Sequence, residues 1–273
     1  MHQSWQSGCA EAARLLAGAR KAVALTGAGV SVPSGIPDFR SPGGLWTRFD
    51  PMRVATARAL KHDPEAVWEF MAAAMDLFGQ ARPNPAHLAL AELERRGFLA
   101  GIVTQNIDGL HQAAGSRSVV EFHGSAERFS CLGCGQAQPR AAMPGLLARG
   151  VPPRCPGCGG VVRPDVVFFG EGIPMDAVLG SEELVAGADL ALIVGTSGEV
   201  APANAIPLRV VRAGGKVVEV NLGHTAYGNV SDVRLDAPAE EVLPRILELL
   251  PKSRGTGQGR AGGMALSSSE DLG

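Results

Sequence analysis

The sequence predicts an α/β protein built on a doubly wound parallel sheet, with a smaller zinc-binding and helical lobe inserted into it. Three observations predict this class: short β-branched apolar runs, helical patterns that alternate with them, and two insertions that interrupt the alternation. Strands that alternate with helices form a parallel sheet with helices on both faces, because each helix carries the chain back to the start of the next strand.

Six apolar runs predict the strands. Each is short, rich in β-branched residues and bounded by turn residues, as is typical of buried parallel strands. The runs are KAVAL (21–25), GIVT (101–104), SVVEF (118–122), DVVFF (165–169), DLALIVG (189–195) and KVVEVN (216–221). Helical patterns, several opened by Pro or Asn and closed by Gly, lie between them at 8–18, 85–96, 202–213 and 239–250.

Two insertions leave the sheet and return to it. The first, 45–83, is amphipathic, and DPEAVWEFMAAAMDLF is its clearest helix. The second, 126–163, is rich in Gly and Pro and poor in periodicity, as expected where metal bonds replace a core. We expect both to form one small lobe across a cleft from the sheet domain, and the Gly- and Ser-rich tail, 252–273, to be disordered. The sheet domain then comprises 8–44, 84–125 and 164–250.

The second insertion has the cysteine spacing of a zinc site. Two C-x2-C pairs are separated by twenty residues and supply Cys131, Cys134, Cys155 and Cys158. Four thiolates leave no open position, so the zinc is expected to be structural rather than catalytic. Two disulfides or unlinked thiols are the alternative, which an intracellular compartment disfavours. The fifth cysteine, Cys9, lies on the first helical pattern and is expected to be a small buried hydrophobe.

Size and charge exclude several classes of protein. With 273 residues, 45% of them hydrophobic, the chain can bury a large core and is globular. A net charge of −2 gives no global field that would draw it onto nucleic acid or an anionic membrane. No apolar run approaches the roughly 18 residues that span a bilayer, and the N-terminus lacks a signal-peptide pattern. We expect a cytoplasmic protein with no membrane or direct nucleic-acid partner.

A glycine turn after the first strand indicates a phosphate-binding site. Gly27, Ala28 and Gly29 supply a tight turn whose backbone N–H groups can approach a pyrophosphate. The third glycine of the dinucleotide fingerprint is missing, since Val32 takes its place, and no second strand with a terminal acid follows promptly. An ordinary nicotinamide dehydrogenase is therefore disfavoured.

The loop after this turn, PSGIPDFR (33–40), holds two prolines, a carboxylate, an aromatic ring and a guanidinium. Such a loop can cover a ligand. The alternative is a rigid surface loop with a contact between Asp38 and Arg40.

Polar side chains follow two predicted strands at the edge where open α/β sheets bind ligands. Gln105, Asn106 and Asp108 come directly after GIVT, and His123 follows SVVEF. Helix capping explains one of the first three but not all of them. A lone histidine is more often structural, but one that converges with these groups can move a proton near neutral pH.

Together these segments resemble the sirtuin family of NAD-dependent protein lysine deacylases, in its bacterial type with structural zinc. The resemblance covers essentially the whole chain from about Gly8 to Leu250. Seven segments occur in the family's order and at its spacings, and seven in order should not arise by chance. They are GAGVSVPSGIPDFR, TQNIDGLH, EFHG, the paired C-x2-C knuckles, RPDVVFFGE, GTS and VNLG.

The resemblance implies a Rossmann-like large domain and a small domain made of a zinc module and a helical module. NAD, as co-substrate, and acyl-lysine would meet in the cleft, with His123, Asn106 and Asp108 as the catalytic residues. The residues implied around NAD are Gly27, Ala28, Gly29, Asp38, Phe39, Arg40, Gln105, Ile107, Gly195, Thr196, Ser197, Asn221, Leu222 and Ala239, the last beside the adenine.

The family's mechanism implies a reaction for this chain. The acyl-lysine carbonyl oxygen attacks the ribose carbon that bears nicotinamide, and nicotinamide leaves first. His123 then acts as general base on the ribose hydroxyls, which yields free lysine and O-acyl-ADP-ribose. Asn106 and Asp108 would hold the nicotinamide ribose, and Phe39 would shield the activated sugar from water.

The acyl-lysine protein or peptide is implied to add as a strand between the two lobes. It would pair with backbone at 167–170 and 199–200, and main-chain pairing of this kind reads little sequence. The substrate-binding residues implied are Val167, Phe169, Gly170 and Val200.

The acyl group is expected to be neutral. Relatives that prefer succinyl or malonyl lysine carry a Tyr-x-x-Arg pair, and Met71 and Ala74 stand at those places here. Without the guanidinium, a buried acyl carboxylate would cost about 3 kcal/mol or more. Acetyl and other neutral acyl groups are therefore favoured.

Two other functions remain open. A mono-ADP-ribosyltransferase would use the same NAD residues but pass ADP-ribose to a protein nucleophile. A non-catalytic module would bind NAD or a protein, although the joint presence of His123, Asn106 and Asp108 argues against it. The hypothesis of a zinc-dependent nucleic-acid binder has less support still, because the cysteine module carries few basic residues.

Overall fold

The computed structural model describes residues 5–38 and 47–254. Phe39, Arg40 and residues 255–273 of the predicted tail lie outside this part of the chain. Within it the strands are β1 (Ala22–Thr26), β2 (Ile102–Thr104), β3 (Val119–Glu121), β4 (Gly124–Cys131), β5 (Ala137–Gln138), β6 (Val162–Val166), β7 (Leu190–Val194), β8 (Lys216–Val220) and β9 (Val233–Leu235).

The helices follow the predicted alternation, with additions. The α-helices are α1 (Trp5–Gly18), α2 (Pro51–Val54), α3 (Ala57–His62), α4 (Pro64–Gln80), α5 (Pro85–Arg95), α6 (Leu110–Ala113), α7 (Met143–Leu147), α8 (Met175–Val185), α9 (Ile206–Arg212) and α10 (Ala239–Leu249). Short 3-10 helices cover Ala28–Ser34, Arg140–Ala142 and Ala203–Ala205. None of the described helices is long and apolar enough to cross a membrane.

The large sheet is parallel and doubly wound. Its strand order is β3-β2-β1-β7-β8-β9, and β1 pairs in parallel with both β2 and β7. The chain therefore proceeds outward from β1 in one direction and from β7 in the other. In such sheets the crevice at the carboxyl ends of the two central strands is the place where ligands bind.

Side chains of the large sheet alternate between two cores. One core packs strand residues such as Ala24, Leu192 and Val218 against α1, α5 and α10. The other packs Val23 and Ile193, one position along, against α8 and α9. Since successive residues of a strand point to opposite faces, helices on both faces bury the strands completely, which explains their continuous apolar runs.

One predicted strand is assigned wrongly. The run DVVFF (165–169) was expected in the parallel sheet, but β6 ends at Val166 and pairs antiparallel with β4 in a separate sheet of order β5-β4-β6. An apolar run shows that a strand is buried and does not show its partner. The structure also contains β4, β9 and α8, which the sequence patterns did not predict. The pattern at 202–213 is a 3-10 turn followed by the shorter α9.

The two insertions share one core. Trp68 of α4 stacks on Phe129 of β4, with ring centroids 6.2 Å apart, and its indole N–H donates to the Val162 carbonyl at 2.7 Å. That hydrogen bond satisfies the polar end of a fully buried indole. The helical and cysteine-bearing segments thus pack as one body, while the boundaries given for the lobes remain predictions.

Two helices that border the site begin in the same way. Asp63 and Asn84 each accept a hydrogen bond from a backbone N–H of the first turn, and a proline follows each of them. A capping side chain satisfies a free N–H, and proline at the first helical position sacrifices no hydrogen bond. These signals explain why the sequence located α4 and α5 within two residues.

Gly124 fixes the turn from β3 into β4. Its φ is +78°, and a Cβ there would lie 2.0 Å from the Asp165 carbonyl oxygen on the neighbouring strand. Glycine is therefore needed both for the backbone conformation and for the close approach of β6. The turn sets the position of His123, which immediately precedes it.

Gly124→Ala should lower the free energy of unfolding by about 2–4 kcal/mol, because it adds a backbone clash to the cost of a positive φ. Gly115→Ala is the matched control, since Gly115 has φ +101° with nothing within 4 Å of its added Cβ. That change should cost only about 1 kcal/mol. Urea unfolding measures both, and equal losses would show that the contact with β6 does not matter.

Candidate active site

The candidate site lies where the loops after β1, β2, β3 and β7 meet. Two loops meet without side chains between them: the Gly29 N–H donates to the Gly195 carbonyl at 2.9 Å, and the Gly27 N–H to Val194 at 3.1 Å. A Cβ on Gly29 would lie 2.9 Å from the Gly195 Cα, and one on Gly27 would lie 2.7 Å from the Thr196 Cβ. The glycines thus allow the loops to touch. Of the three amides in the turn of Gly27, Ala28 and Gly29, those of Gly27 and Gly29 already donate within the protein.

Ser31 joins the polar groups of the second loop. Its hydroxyl donates to the Asp108 Oδ2 at 2.7 Å and accepts from the Asn106 Nδ2 at 3.1 Å. The same Asn106 amide nitrogen also lies 3.2 Å from the Gly27 carbonyl. Both Asn106 and Asp108 are therefore held against the first loop, and Ser31 was not among the predicted site residues.

Asp108 contacts both a helix start and the first loop. Its Oδ1 accepts from the Leu110 N–H at 2.9 Å, at the start of α6, so it caps that helix while its Oδ2 binds Ser31. Burial raises the pKa of Asp108 above its ordinary value, and the hydrogen bonds from Leu110 and Ser31 oppose this. A charged ligand group beside this carboxyl would shift its pKa further.

His123 presents one ring nitrogen as a base. Its Nδ1 lies 3.1 Å from the Gln105 carbonyl oxygen, which can only accept, so Nδ1 carries the proton and Nε2 has the lone pair. Burial lowers the pKa of His123, and the hydrogen bond to Gln105 opposes part of that shift. The imidazole is therefore neutral and able to take a proton near neutral pH.

Gln105 ties this histidine to the loop after β7. Its backbone carbonyl accepts from His123, while its side-chain Nε2 donates to the Thr196 Oγ1 at 2.9 Å. The Ser197 carbonyl in turn accepts from the Ala226 N–H at 2.8 Å. Residues from four loops are thus connected by hydrogen bonds at one edge of the sheet.

Two buried histidines lie beneath the loops. The ring centroids of His87 and His111 are 4.9 Å apart, and the His111 Nε2 lies 2.9 Å from the Thr26 Oγ1. Burial lowers the pKa of His87 to about 4 and that of His111 to about 3. Neither was predicted as a site residue, although His111 ends the TQNIDGLH segment and His87 stands three residues after the helix cap Asn84.

The other residues proposed around NAD come from several elements. Asn221 and Leu222 follow β8, and Leu222 is 64% exposed. Ala239 begins α10 and is buried in the same core as Val30 of the first loop. Other predicted residues lie partly buried: Asp38, at the end of the first described range, and Ile107, against the core of the small lobe.

The predicted peptide-binding backbone lies between the lobes. The Val167 N–H donates to the His123 carbonyl at 2.8 Å, and the Phe169 N–H donates to Ala55 at 2.8 Å. Phe169 is 48% exposed and Gly170 has φ +90°. Val200 accepts from the Asn204 N–H at 3.0 Å. Segment 167–170 therefore touches both the histidine and the helical insertion.

The four cysteines form a tight cluster that fits one zinc ion. Their sulfur atoms all lie within 4.8 Å of one another, with 3.4 Å between Cys131 and Cys158 and 3.9 Å between Cys134 and Cys155. Four thiolates about 2.3 Å from a tetrahedral zinc lie about 3.8 Å apart. A Cβ on Gly160 would come within 2.9 Å of the Cys131 sulfur, so the backbone closes tightly around the cluster.

Comparison with known proteins agrees with this architecture. Residues 27–202 match the model of the Sir2 family. The chain belongs to the Sir2 family. An archaeal relative, NAD-dependent protein deacylase 2 of Pyrobaculum aerophilum, is 47% identical over 236 residues, which cover 86% of this chain and 93% of that protein.

Solved structures of Sir2 proteins have the same fold. One, from work on the structural basis of the mechanism and regulation of Sir2 enzymes, has a TM-score of 0.84 at 42% identity. The match covers 89% of this chain and 98% of that chain. A Sir2 complex with a p53 peptide and NAD+ has a TM-score of 0.81 at 38% identity, over 87% of this chain and 96% of its own. The parallel sheet and cysteine cluster of this Sir2 protein confirm the predicted fold class.

Removing one cysteine of this Sir2 protein should release the metal. Cys155→Ala is expected to reduce bound zinc from one ion per chain to nearly none and to lower Tm, because Cys131 and Cys155 also pack in the small-lobe core. Metal analysis and thermal unfolding measure both effects. Cys9→Ala, at a buried cysteine of α1, is the control and should keep its zinc; equal zinc content in the two variants would contradict the assignment.

The two buried histidines should make stability depend on pH. An unfolded histidine binds a proton as the pH falls through about 6.5, whereas His87 and His111 do so in the folded chain only near pH 4 and 3. The free energy of unfolding is therefore highest above pH 6.5. It falls as the pH drops below 6.5, by up to about 2 kcal/mol per histidine at pH 5. Urea unfolding at pH 7 and 5 measures the effect. Between these pH values His111→Gln should lose less free energy of unfolding than the wild type, whereas His62→Gln, at an exposed histidine, should lose as much as the wild type.

Proposed function

We propose that this Sir2 protein is an NAD-dependent protein lysine deacylase that removes acetyl or other neutral acyl groups and produces nicotinamide and O-acyl-ADP-ribose. The observation that carries the proposal is His123: a neutral imidazole with its Nδ1 fixed on Gln105 and its Nε2 available as a base. It lies at the sheet edge that also holds Asn106 and Asp108. The deacylase named above, at 47% identity, supports the same activity.

NAD supplies the ADP-ribosyl group and the nicotinamide leaving group. For NAD the chain offers the loops after β1, β2, β7 and β8, which include Ala28, Thr196, Ser197 and Asn221. The pyrophosphate would depend on amides other than those of Gly27 and Gly29, since both donate within the protein. The solved Sir2 complex with NAD+ supports a nucleotide site of this kind in this fold.

His123 would take the proton from a ribose hydroxyl. Its imidazole is neutral because burial disfavours the imidazolium, and the Gln105 carbonyl fixes the tautomer. A base in this state needs no prior deprotonation at neutral pH. The ring would act through Nε2, the nitrogen opposite the Gln105 contact.

Asn106 and Asp108 would orient the nicotinamide ribose. Ser31 and Leu110 hold these two side chains in place before any ligand binds, which reduces the entropy lost on binding. Phe39 is proposed to exclude water from the sugar, and Arg40 to contact the nucleotide.

The acyl-lysine substrate would lie along segment 167–170. Of the backbone groups there, the amide of Val167 and both groups of Phe169 pair within the protein, whereas the Val167 carbonyl and the Gly170 N–H make no hydrogen bond to another described residue. An extended peptide can use these groups, together with backbone near Val200. The Sir2 complex with a p53 peptide supports a peptide substrate.

A neutral acyl group fits the small lobe. Met71 and Ala74 of α4 are both buried, and neither carries a cation for an acyl carboxylate. The absence of a membrane or nucleic-acid partner and a cytoplasmic location remain predictions from the sequence.

His123→Ala should abolish NAD-dependent deacetylation of an acetyl-lysine peptide, with a loss of at least about 100-fold, because it removes the base. Mass spectrometry of the products measures it, and His224→Ala, on the loop after β8, is the histidine control. In the wild type kcat/KM should fall on the acid side only below pH 6.5, since the pKa of His123 is lowered and protonation removes the base.

The products distinguish the alternatives. O-acetyl-ADP-ribose that appears only with NAD and active His123 supports deacylation. A heavier protein carrying ADP-ribose, with the acetyl peptide intact, would replace deacylation with mono-ADP-ribosyl transfer. Binding of NAD without turnover on any acyl peptide would leave the non-catalytic module.

A further inference from the structure

The segment that leads from the cysteine module to α8 is closed by a partly buried ion pair. The guanidinium of Arg163, on β6, donates to both carboxylate oxygens of Glu171, at 2.5 Å and 2.8 Å. The two side chains are only 16% and 23% exposed. A two-point contact of this kind fixes orientation as well as distance, and solvent screens it less than a surface pair.

Both partners also bind the backbone of the loop between them. The Arg163 Nη2 donates to the Val166 carbonyl at 2.6 Å, and the Glu171 carboxylate accepts from the Phe168 N–H at 3.0 Å. The Glu171 N–H donates to the Phe168 carbonyl at 2.9 Å, so both backbone groups of Phe168 are engaged. Burial opposes the charge on Glu171, but hydrogen bonds from Arg163 and Phe168 outweigh it and lower the pKa of the carboxyl.

The loop is therefore fixed from its inner side. Phe168 is buried in the small-lobe core, with the Arg163 guanidinium 5.1 Å from its ring centroid. The backbone N–H groups of its neighbours bind other elements. Val167 donates to the His123 carbonyl, and Phe169 donates to the Ala55 carbonyl of the helical insertion. The ion pair thus holds the segment whose Val167 carbonyl and Gly170 N–H have no hydrogen-bond partner among the described residues.

The same pair lies next to the cysteine cluster. In the antiparallel pairing of β4 with β6, Arg163 is opposite Ser130, and Val162 is opposite the ligand Cys131. Arg163 is therefore one residue along β6 from Val162, which pairs with a cysteine of the cluster.

We propose that Arg163 and Glu171 are positioning residues for the peptide substrate: their ion pair holds segment 167–170 in the shape that receives the peptide backbone and ties that shape to the cysteine module. This inference rests on the proposed deacylase function. Neither residue touches the reacting atoms, so their loss should act on peptide binding rather than on NAD binding or on the chemical step.

The test uses the full chain and steady-state kinetics with an acetyl-lysine peptide and NAD. Arg163→Lys and Glu171→Ala should each raise the peptide KM about tenfold, while the NAD KM and kcat change less than about twofold. Glu171→Gln keeps one acceptor oxygen, so its effect should be smaller. The double variant Arg163→Lys/Glu171→Ala should resemble a single variant, because both changes break one contact.

Controls separate this effect from a general loss of structure. Glu182→Ala removes the exposed pair between Arg209 and Glu182, on α8 beyond the loop, and should leave all constants unchanged. Zinc content and Tm are measured for every variant, and Arg163→Lys is the mild change that should keep both. Fluorescence anisotropy of a labelled acetyl-lysine peptide gives its Kd without turnover.

The outcomes decide the inference. A rise in peptide KM and Kd with zinc and NAD KM retained supports it. An unchanged peptide KM, or a parallel loss of zinc, NAD binding and kcat in every variant, would overturn it, since the pair would then be only structural. A wild-type protein without NAD-dependent deacetylation would instead refute the proposed function, which these variants do not test.

Discussion

The structure depends on the contact between two loops at the centre of the large sheet. β1 and β7 are neighbours, and the loops that follow them approach until Gly29 donates to the Gly195 carbonyl. Only glycine permits this distance, because a Cβ on Gly195 would lie 2.3 Å from the Val30 nitrogen. This close approach brings the first loop, which carries Ser31, to the same edge as the loops after β2 and β7.

Hydrogen bonds hold the polar groups of the candidate site in one arrangement. Ser31 holds Asn106 and Asp108, and Gln105 holds His123 on one side and Thr196 on the other. Preorganised polar groups lower the cost of orienting a ligand, and they do so in a site where burial has already shifted the pKa of the histidine. The small lobe takes part through Val167, whose N–H donates to the His123 carbonyl.

The cysteine cluster is connected to His123 by a single strand. β4 begins at Gly124, next to that histidine, and ends at Cys131. One strand thus links His123 to Cys131 of the cysteine cluster, and β6 beside it leads to segment 167–170. A structural metal can therefore be essential for activity without taking part in the reaction.

The sequence alone determined the fold class, the positions of α4, α5 and α10, the cysteine site and the family, because periodicity, helix caps and metal-ligand spacing are local signals. It could not show that β6 belongs to a second, antiparallel sheet, since an apolar run does not specify its partner. It missed Ser31, His87 and His111, whose importance comes from neighbours distant in sequence. Only the tertiary structure decided which tautomer His123 has and which amides of the glycine turn are already engaged, because both depend on carbonyls at the ends of other strands and in the loops that follow them.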